Sequence, residues 1–130
     1  SENIDIIKRS FKKKIILIDR FTDSTIAYQH YGMGVNLNLI ETLNKTLLRN
    51  INVSFTFLNI VNQKNLQKRL KQRKSLNRYD KFQMSFYNKV QRGFIKLSKK
   101  QKNKYQLINS NLEIDKNEKL ILSKINKLIK

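Results

Sequence analysis

The stretch Ile15-Ile16-Leu17-Ile18-Asp19-Arg20 constrains this chain more than any other. Four apolar residues, three of them β-branched, run directly into a carboxylate and a guanidinium. A short apolar run without alternation suits a strand buried on both faces of a parallel sheet. Residues 15–19 are therefore expected to form the first strand of an α/β fold. The polar residues that follow would lie just past the strand's C-terminal end, the edge at which open α/β sheets place ligands. An Asp-Arg pair there sets a metal-seeking anion beside a phosphate-seeking cation. That combination suits phosphoryl transfer.

The rest of the pattern agrees with alternating helix and strand. Ile4, Ile7 and Phe11 recur at helical spacing, predicting an amphipathic helix from Glu2 to about Lys13. Thr22 to Tyr31 is expected to be a loop leading into a helical turn, broken at Gly32-Met33-Gly34. Leu37, Ile40, Leu43 and Leu47 predict a second helix. Val53 to Ile60 predicts a second buried strand. Asn62 or Asn65 is placed to cap a basic helix running to about Lys74. Phe82, Phe86, Val90, Phe94 and Leu97 then follow at steps of three and four, a long helix whose aromatic stripe is core. Lys99 to Lys104 is a basic turn, Tyr105 to Asn109 a short third strand, and Leu120, Ile125, Leu128 and Ile129 mark a closing helix. Strand, helix and strand in alternation argue for parallel strands.

Composition removes several classes of function. There is no Cys, which excludes disulfides and thiolate metal sites, and the lone His30 cannot build a metal site by itself. No apolar run approaches the roughly 20 residues of a membrane span. A reducing, cytoplasmic setting is the default expectation. Lys and Arg number 28 against 9 acidic residues, a net charge of +19. Such an excess points to polyanions, and a small basic nucleic-acid-binding protein is one alternative reading. The basic residues are spread over most of the chain, however, and Lys, Asn and Ile are abundant throughout, as an AT-rich coding sequence would produce. The aromatics between Phe82 and Phe94 also keep a helical period instead of interleaving with cations on a surface.

A more specific signal lies in the order of short motifs. Asp19-Arg20, Ser24-Thr25 and Ala27-Tyr28-Gln29 are followed by Tyr31-Gly32-Met33-Gly34, by Leu39-Ile40 with Leu43-Asn44, by Leu76-Asn77-Arg78-Tyr79-Asp80, and by Val90 with Gly93-Phe94 and Leu97. In this order and spacing the set resembles the thymidylate kinases, P-loop enzymes that phosphorylate dTMP. The resemblance implies a P-loop NTPase-type parallel sheet flanked by helices, over one domain spanning 1–130, with a lid at about 66–80. It implies dTMP and ATP as substrates, Mg²⁺ with the ATP, and a homodimer.

Carried onto this sequence, the resemblance gives Arg20 the phosphate of dTMP. A guanidinium suits that role because it binds phosphate bidentately and stays charged. A structural ion pair to Asp19 or Asp23 is its alternative role. Asp19 would stand near Mg²⁺, directly or through water. Ser24, Thr25, Tyr28 and Gln29 would line the nucleoside side of the pocket, with loop capping and core packing as their alternatives. Arg69, Lys71, Arg73 and Arg78 would belong to the basic lid that meets ATP phosphates, Arg73 with a catalytic part. A solvated helix face is the alternative.

The chain departs from the family's pattern at His30, Met33, Asn59, Asn77 and Asn109, where a small residue, an arginine and three aspartates are usual. It also holds glycine only at 32, 34 and 93, so it contains no G-x-x-x-x-G-K-[ST] phosphate loop. The resemblance thus covers the C-terminal two-thirds of the family's fold, with its N-terminal strands missing. The expectation is a truncated enzyme that folds poorly alone and has no kinase activity as an isolated chain.

Overall fold

The structure is a computed structural model that describes residues 2–72 and 84–130. Its elements are α1 (Glu2–Ser10), α2 (Thr22–Thr25) continuing into a π-helix (Ile26–Gly32), α3 (Leu37–Leu48), β1 (Thr56–Ile60), α4 (Gln63–Gln72), α5 (Met84–Lys100), a 3₁₀ turn (Lys102–Lys104), β2 (Tyr105–Asn109) and α6 (Ile114–Ile129). β1 and β2 form a two-stranded parallel sheet, in register from Thr56 opposite Tyr105 to Ile60 opposite Asn109. A parallel pair needs a long crossover, and α4 and α5 lie on the path between the two strands. Helix-rich α/β architecture is therefore as expected, and β2 has the expected bounds.

α5 organises the packing. Phe86, Val90 and Gly93 are buried along one face, and Phe86 and Val90 join Ala27 of the π-helix in the core, with Tyr28, Tyr87 and Phe94 packed around them. Two glycines set how closely these helices approach. A Cβ on Gly32 would stand 2.6 Å from Phe86 Cε2, and one on Gly93 would stand 2.5 Å from Tyr31 Cδ2. In the sheet, Leu58 and Ile108 are buried. Asn62 caps α4 by accepting from the Asn65 N–H at 2.8 Å, and Asn36 caps α3 from Leu39 at 3.2 Å. Both fit the cap preference for asparagine.

Four expectations are corrected. The run Ile15–Ile18 belongs to no sheet, and Ile15, Leu17 and Ile18 are 66 %, 80 % and 44 % exposed. A strand is defined by its neighbour's hydrogen bonds, and among the described residues this run has no neighbouring strand. Residues 22–32 are helical throughout instead of loop followed by turn. β1 starts at Thr56, leaving Val53 exposed before it. The α3 helix forms as expected, yet of its stripe only Ile40 is buried, while Leu43 and Leu47 are exposed with Leu39. Phe82 and the 76–80 motif lie outside the described residues.

Candidate functional site

Arg20 lies in the bend between the Ile15–Ile18 run and α2. Its backbone adopts φ 60°, a left-handed conformation that costs a non-glycine residue about 1 kcal/mol or more. Residues held in such conformations concentrate at ligand-binding positions. Its guanidinium carbon lies 4.5 Å from the centroid of the Tyr28 ring. That ring is itself wedged edge-on against Phe86 (5.9 Å) and Phe94 (6.4 Å). The aromatic stripe of α5 therefore fixes Tyr28, and Tyr28 supports the cation. Arg20 and Tyr28 are thus brought together from eight residues apart, with the guanidinium at an exposed rim.

Ser24 and Thr25 form the second half of α2, with Ser24 half-buried and Thr25 exposed. The Ser24 N–H donates to the Phe21 carbonyl at 3.0 Å, closing the first turn. Tyr28 and Gln29 lie on the π-helix, a rare wide-turn geometry that recurs at functional sites. The Gln29 carbonyl accepts from Val35 at 2.9 Å and the His30 carbonyl from Gly34 at 2.8 Å. His30 Nδ1 donates back to the Val35 carbonyl at 2.8 Å, so this residue, unusual for its position, staples the turn through Met33 and Gly34. Gly34 has φ 80°, which suits glycine. Met33, in the arginine's place, is exposed.

Asp19 is an exposed carboxylate next to Arg20. Among the described residues no group of three or more His, Asp or Glu is arranged to hold a metal ion. A single open carboxylate still fits Mg²⁺ carried by a nucleotide, because that ion is usually bound by one or two carboxylates plus substrate phosphates.

α4 carries Arg69 and Lys71. Lys71 is exposed, and Arg69 Nη2 donates to the Ser110 carbonyl at the end of β2. Arg73 and Arg78, with Asn77, lie outside the described residues. Asn59 and Asn109 stand at the C-terminal ends of β1 and β2, with Ser110 Oγ 3.5 Å from Asn59 Oδ1.

One link escaped the sequence. Tyr105 donates its phenol proton to the Asp23 carboxylate, tying α2 to the first residue of β2 across 82 residues. Burial, and then this carboxylate, push the phenol well above its usual pKa. Since Tyr105 pairs with Thr56 at the start of both strands, Asp23 sits at the N-terminal end of the described sheet, opposite the edge expected for the polar run. The only local signal was an acid in the first turn of a helix; its distant partner had none.

Comparison with known proteins gives the family. The family model for thymidylate kinase matches residues 1–121. The chain is 33 % identical over 105 residues to the thymidylate kinase of Wolbachia pipientis subsp. Culex pipiens, covering 81 % of this chain and 49 % of the relative. With the thymidylate kinase of Ehrlichia canis it shares 38 % identity over 111 residues, covering 84 % and 52 %. The crystal structure of thymidylate kinase from Ehrlichia chaffeensis superposes with a TM-score of 0.66 at 31 % identity, over 96 % of this chain and 58 % of that one. The chain thus spans about half the length of the relatives it matches. With the family model covering nearly all of it and the motif residues in sequence order, the chain belongs to the thymidylate kinase family.

Proposed function

We propose that this chain supplies the dTMP-binding and lid half of a nucleotide kinase that moves the γ-phosphate of ATP to dTMP, giving dTDP. The observation that carries the reading is the family match over residues 1–121, joined to an arginine on an aromatic platform within the motif that matches. Arg20 binds the dTMP phosphate, with its guanidinium carbon 4.5 Å from the centroid of the Tyr28 ring. Ser24, Thr25 and Gln29 offer hydroxyl and amide partners to the nucleoside. Arg69, Lys71, Arg73 and Arg78 neutralise the donor phosphates when the lid closes. Catalysis of this kind is positioning and charge stabilisation rather than covalent chemistry. Asp19 would hold Mg²⁺ brought with ATP, directly or through water, and the ion would neutralise charge on the phosphates. The 130 residues contain no phosphate-cradling loop, so turnover needs that loop from elsewhere.

The exposed leucines Leu39, Leu43 and Leu47 follow one another at i, i+4 and i+8 on α3, an apolar stripe that supports a homodimer. No helix among the described residues is long and apolar enough to cross a membrane, and the proposed setting is cytoplasmic.

The test is calorimetric titration of the chain with dTMP at two salt concentrations. Saturable binding is expected, and Arg20→Ala should weaken it about 10- to 100-fold, the loss of one charge-assisted phosphate contact. Equal affinity in Arg20→Ala, or tighter binding of an unrelated oligonucleotide with a steep salt dependence, would overturn the reading.

A further inference from the structure

The side chain of Asn111 lies where four elements meet: the ends of β1 and β2 and the starts of α4 and α6. Its Oδ1 accepts from the Asn62 N–H at 3.1 Å and from Asn65 Nδ2 at 2.9 Å. Its Nδ2 donates to Asn109 Oδ1 at 2.8 Å, which also accepts from the Asn111 N–H at 3.0 Å. The Asn109 carbonyl accepts from Asn117 Nδ2 at 3.0 Å, and the Ser110 N–H extends the sheet by donating to the Ile60 carbonyl at 2.8 Å. Both acceptor sites and one of the two donors of the Asn111 amide are thereby used.

We propose that Asn111 is a positioning residue for the lid: it pins the first turn of α4 to the C-terminal end of the sheet and so sets where Arg69 stands. The geometry is specific to an amide at this place. One oxygen holds the cap residue of α4 and the residue three further on, while the nitrogen of the same group anchors to β2. Arg69 follows Asn65 by four residues, one helical turn, and from there its guanidinium reaches the Ser110 carbonyl beside Asn111. The pin contains no ionised group, so an arriving phosphate draws no cation out of it. The base of α4 then stays fixed while a charged side chain one turn on exchanges partners. Sequence alone does not show this, because Asn62 and Asn111 are 49 residues apart.

The lid role of α4 rests on the kinase reading; the pin itself does not. Hydrogen exchange of the nucleotide-free chain tests it. Asn111→Ala removes both halves of the grip, and amides 63–72 should exchange about tenfold faster while those of α5 keep their rates, a local opening rather than global loss. Asn111→Asp keeps an acceptor oxygen for Asn62 and Asn65 but loses the donor to Asn109 and sets a carboxylate oxygen against Asn109 Oδ1, so α4 should again exchange faster than in the parent while α5 keeps its rates. The proposal is overturned if Asn111→Ala leaves α4 at the parent's rate, if α5 speeds up equally, or if Asn111→Asp protects α4 as well as the parent does. Absence of dTMP binding alongside the expected exchange pattern would sink the kinase reading and leave the pin standing.

Discussion

Replacing Gly93 with alanine sets two effects of opposite sign against each other. Gly93 lies inside α5, where alanine in place of glycine ordinarily stabilises a helix by about 1 kcal/mol. The added methyl, however, would stand 2.5 Å from Tyr31 Cδ2 and 2.7 Å from both Tyr31 Cβ and Cγ. Carbon atoms in contact prefer about 3.5–4.0 Å, so a gap of roughly 1 Å must open. Rotating the Tyr31 ring relieves the Cδ2 clash but leaves Cβ where the backbone puts it. The two helices must therefore part, and that strains the neighbouring approach of Gly32 to Phe86. Overpacking of this kind costs about 1–3 kcal/mol. The net expectation is destabilisation by about 1 kcal/mol, a difference of the two cited terms.

Urea unfolding of Gly93→Ala beside the parent reads the sign directly. Tyr31→Gly combined with Gly93→Ala removes the obstructing Cβ, so the double variant should be more stable than the sum of the single effects. If Gly93→Ala alone stabilised the chain by about the propensity value, the close approach of α5 and the π-helix would be wrong. The support of Tyr28 by Phe86 and Phe94 would then fall with it.

Two further outcomes follow from the same geometry. Tyr105 has its pKa raised by folding, so its contribution is fully present below the unfolded phenol's pKa of about 10 and is lost as pH rises through the higher folded value. Stability should decline as pH rises above about 10, and Tyr105→Phe should flatten the decline while costing about 1 kcal/mol at neutral pH, a charge-assisted bond discounted for partial exposure; a parent and variant with parallel alkaline curves would refute the link to Asp23. At Arg20, glycine relieves the positive φ and alanine does not, so Arg20→Gly should be about 1 kcal/mol more stable than Arg20→Ala, and equal unfolding midpoints would mean the backbone there is unstrained.

The elements that sequence predicted well are those whose signal is internal. α5 keeps its 3.6-residue period through Phe86, Val90 and Phe94 without help from elsewhere, and Tyr105–Asn109 is a compact β-prone run. Ile15–Ile18 shows the limit of that logic. Its residues ask for burial on two faces, but burial is granted by other strands, and among the described residues the run stays outside the sheet with Ile15, Leu17 and Ile18 exposed. The π-helix was illegible for a different reason. Its wider hydrogen-bond register leaves little mark on which residues are apolar. Contacts such as Tyr105 to Asp23 and Asn111 to Asn62 join residues 82 and 49 positions apart, and no local pattern encodes them.

These long-range contacts are also what converts a motif into a site. Asp19-Arg20 as a dipeptide fixes neither the direction nor the reach of the guanidinium. The direction comes from Tyr28, and the position of Tyr28 comes from Phe86 and Phe94 on a helix more than fifty residues later. The glycines at 32 and 93 let that helix come close enough to hold the ring. The strained backbone of Arg20 persists because the structure around it is over-determined in this way. In the proposed function, the position of Arg20 is therefore a property of the α5 core as much as of the motif that announces it. On that proposal, loosening the core should weaken dTMP binding through Arg20.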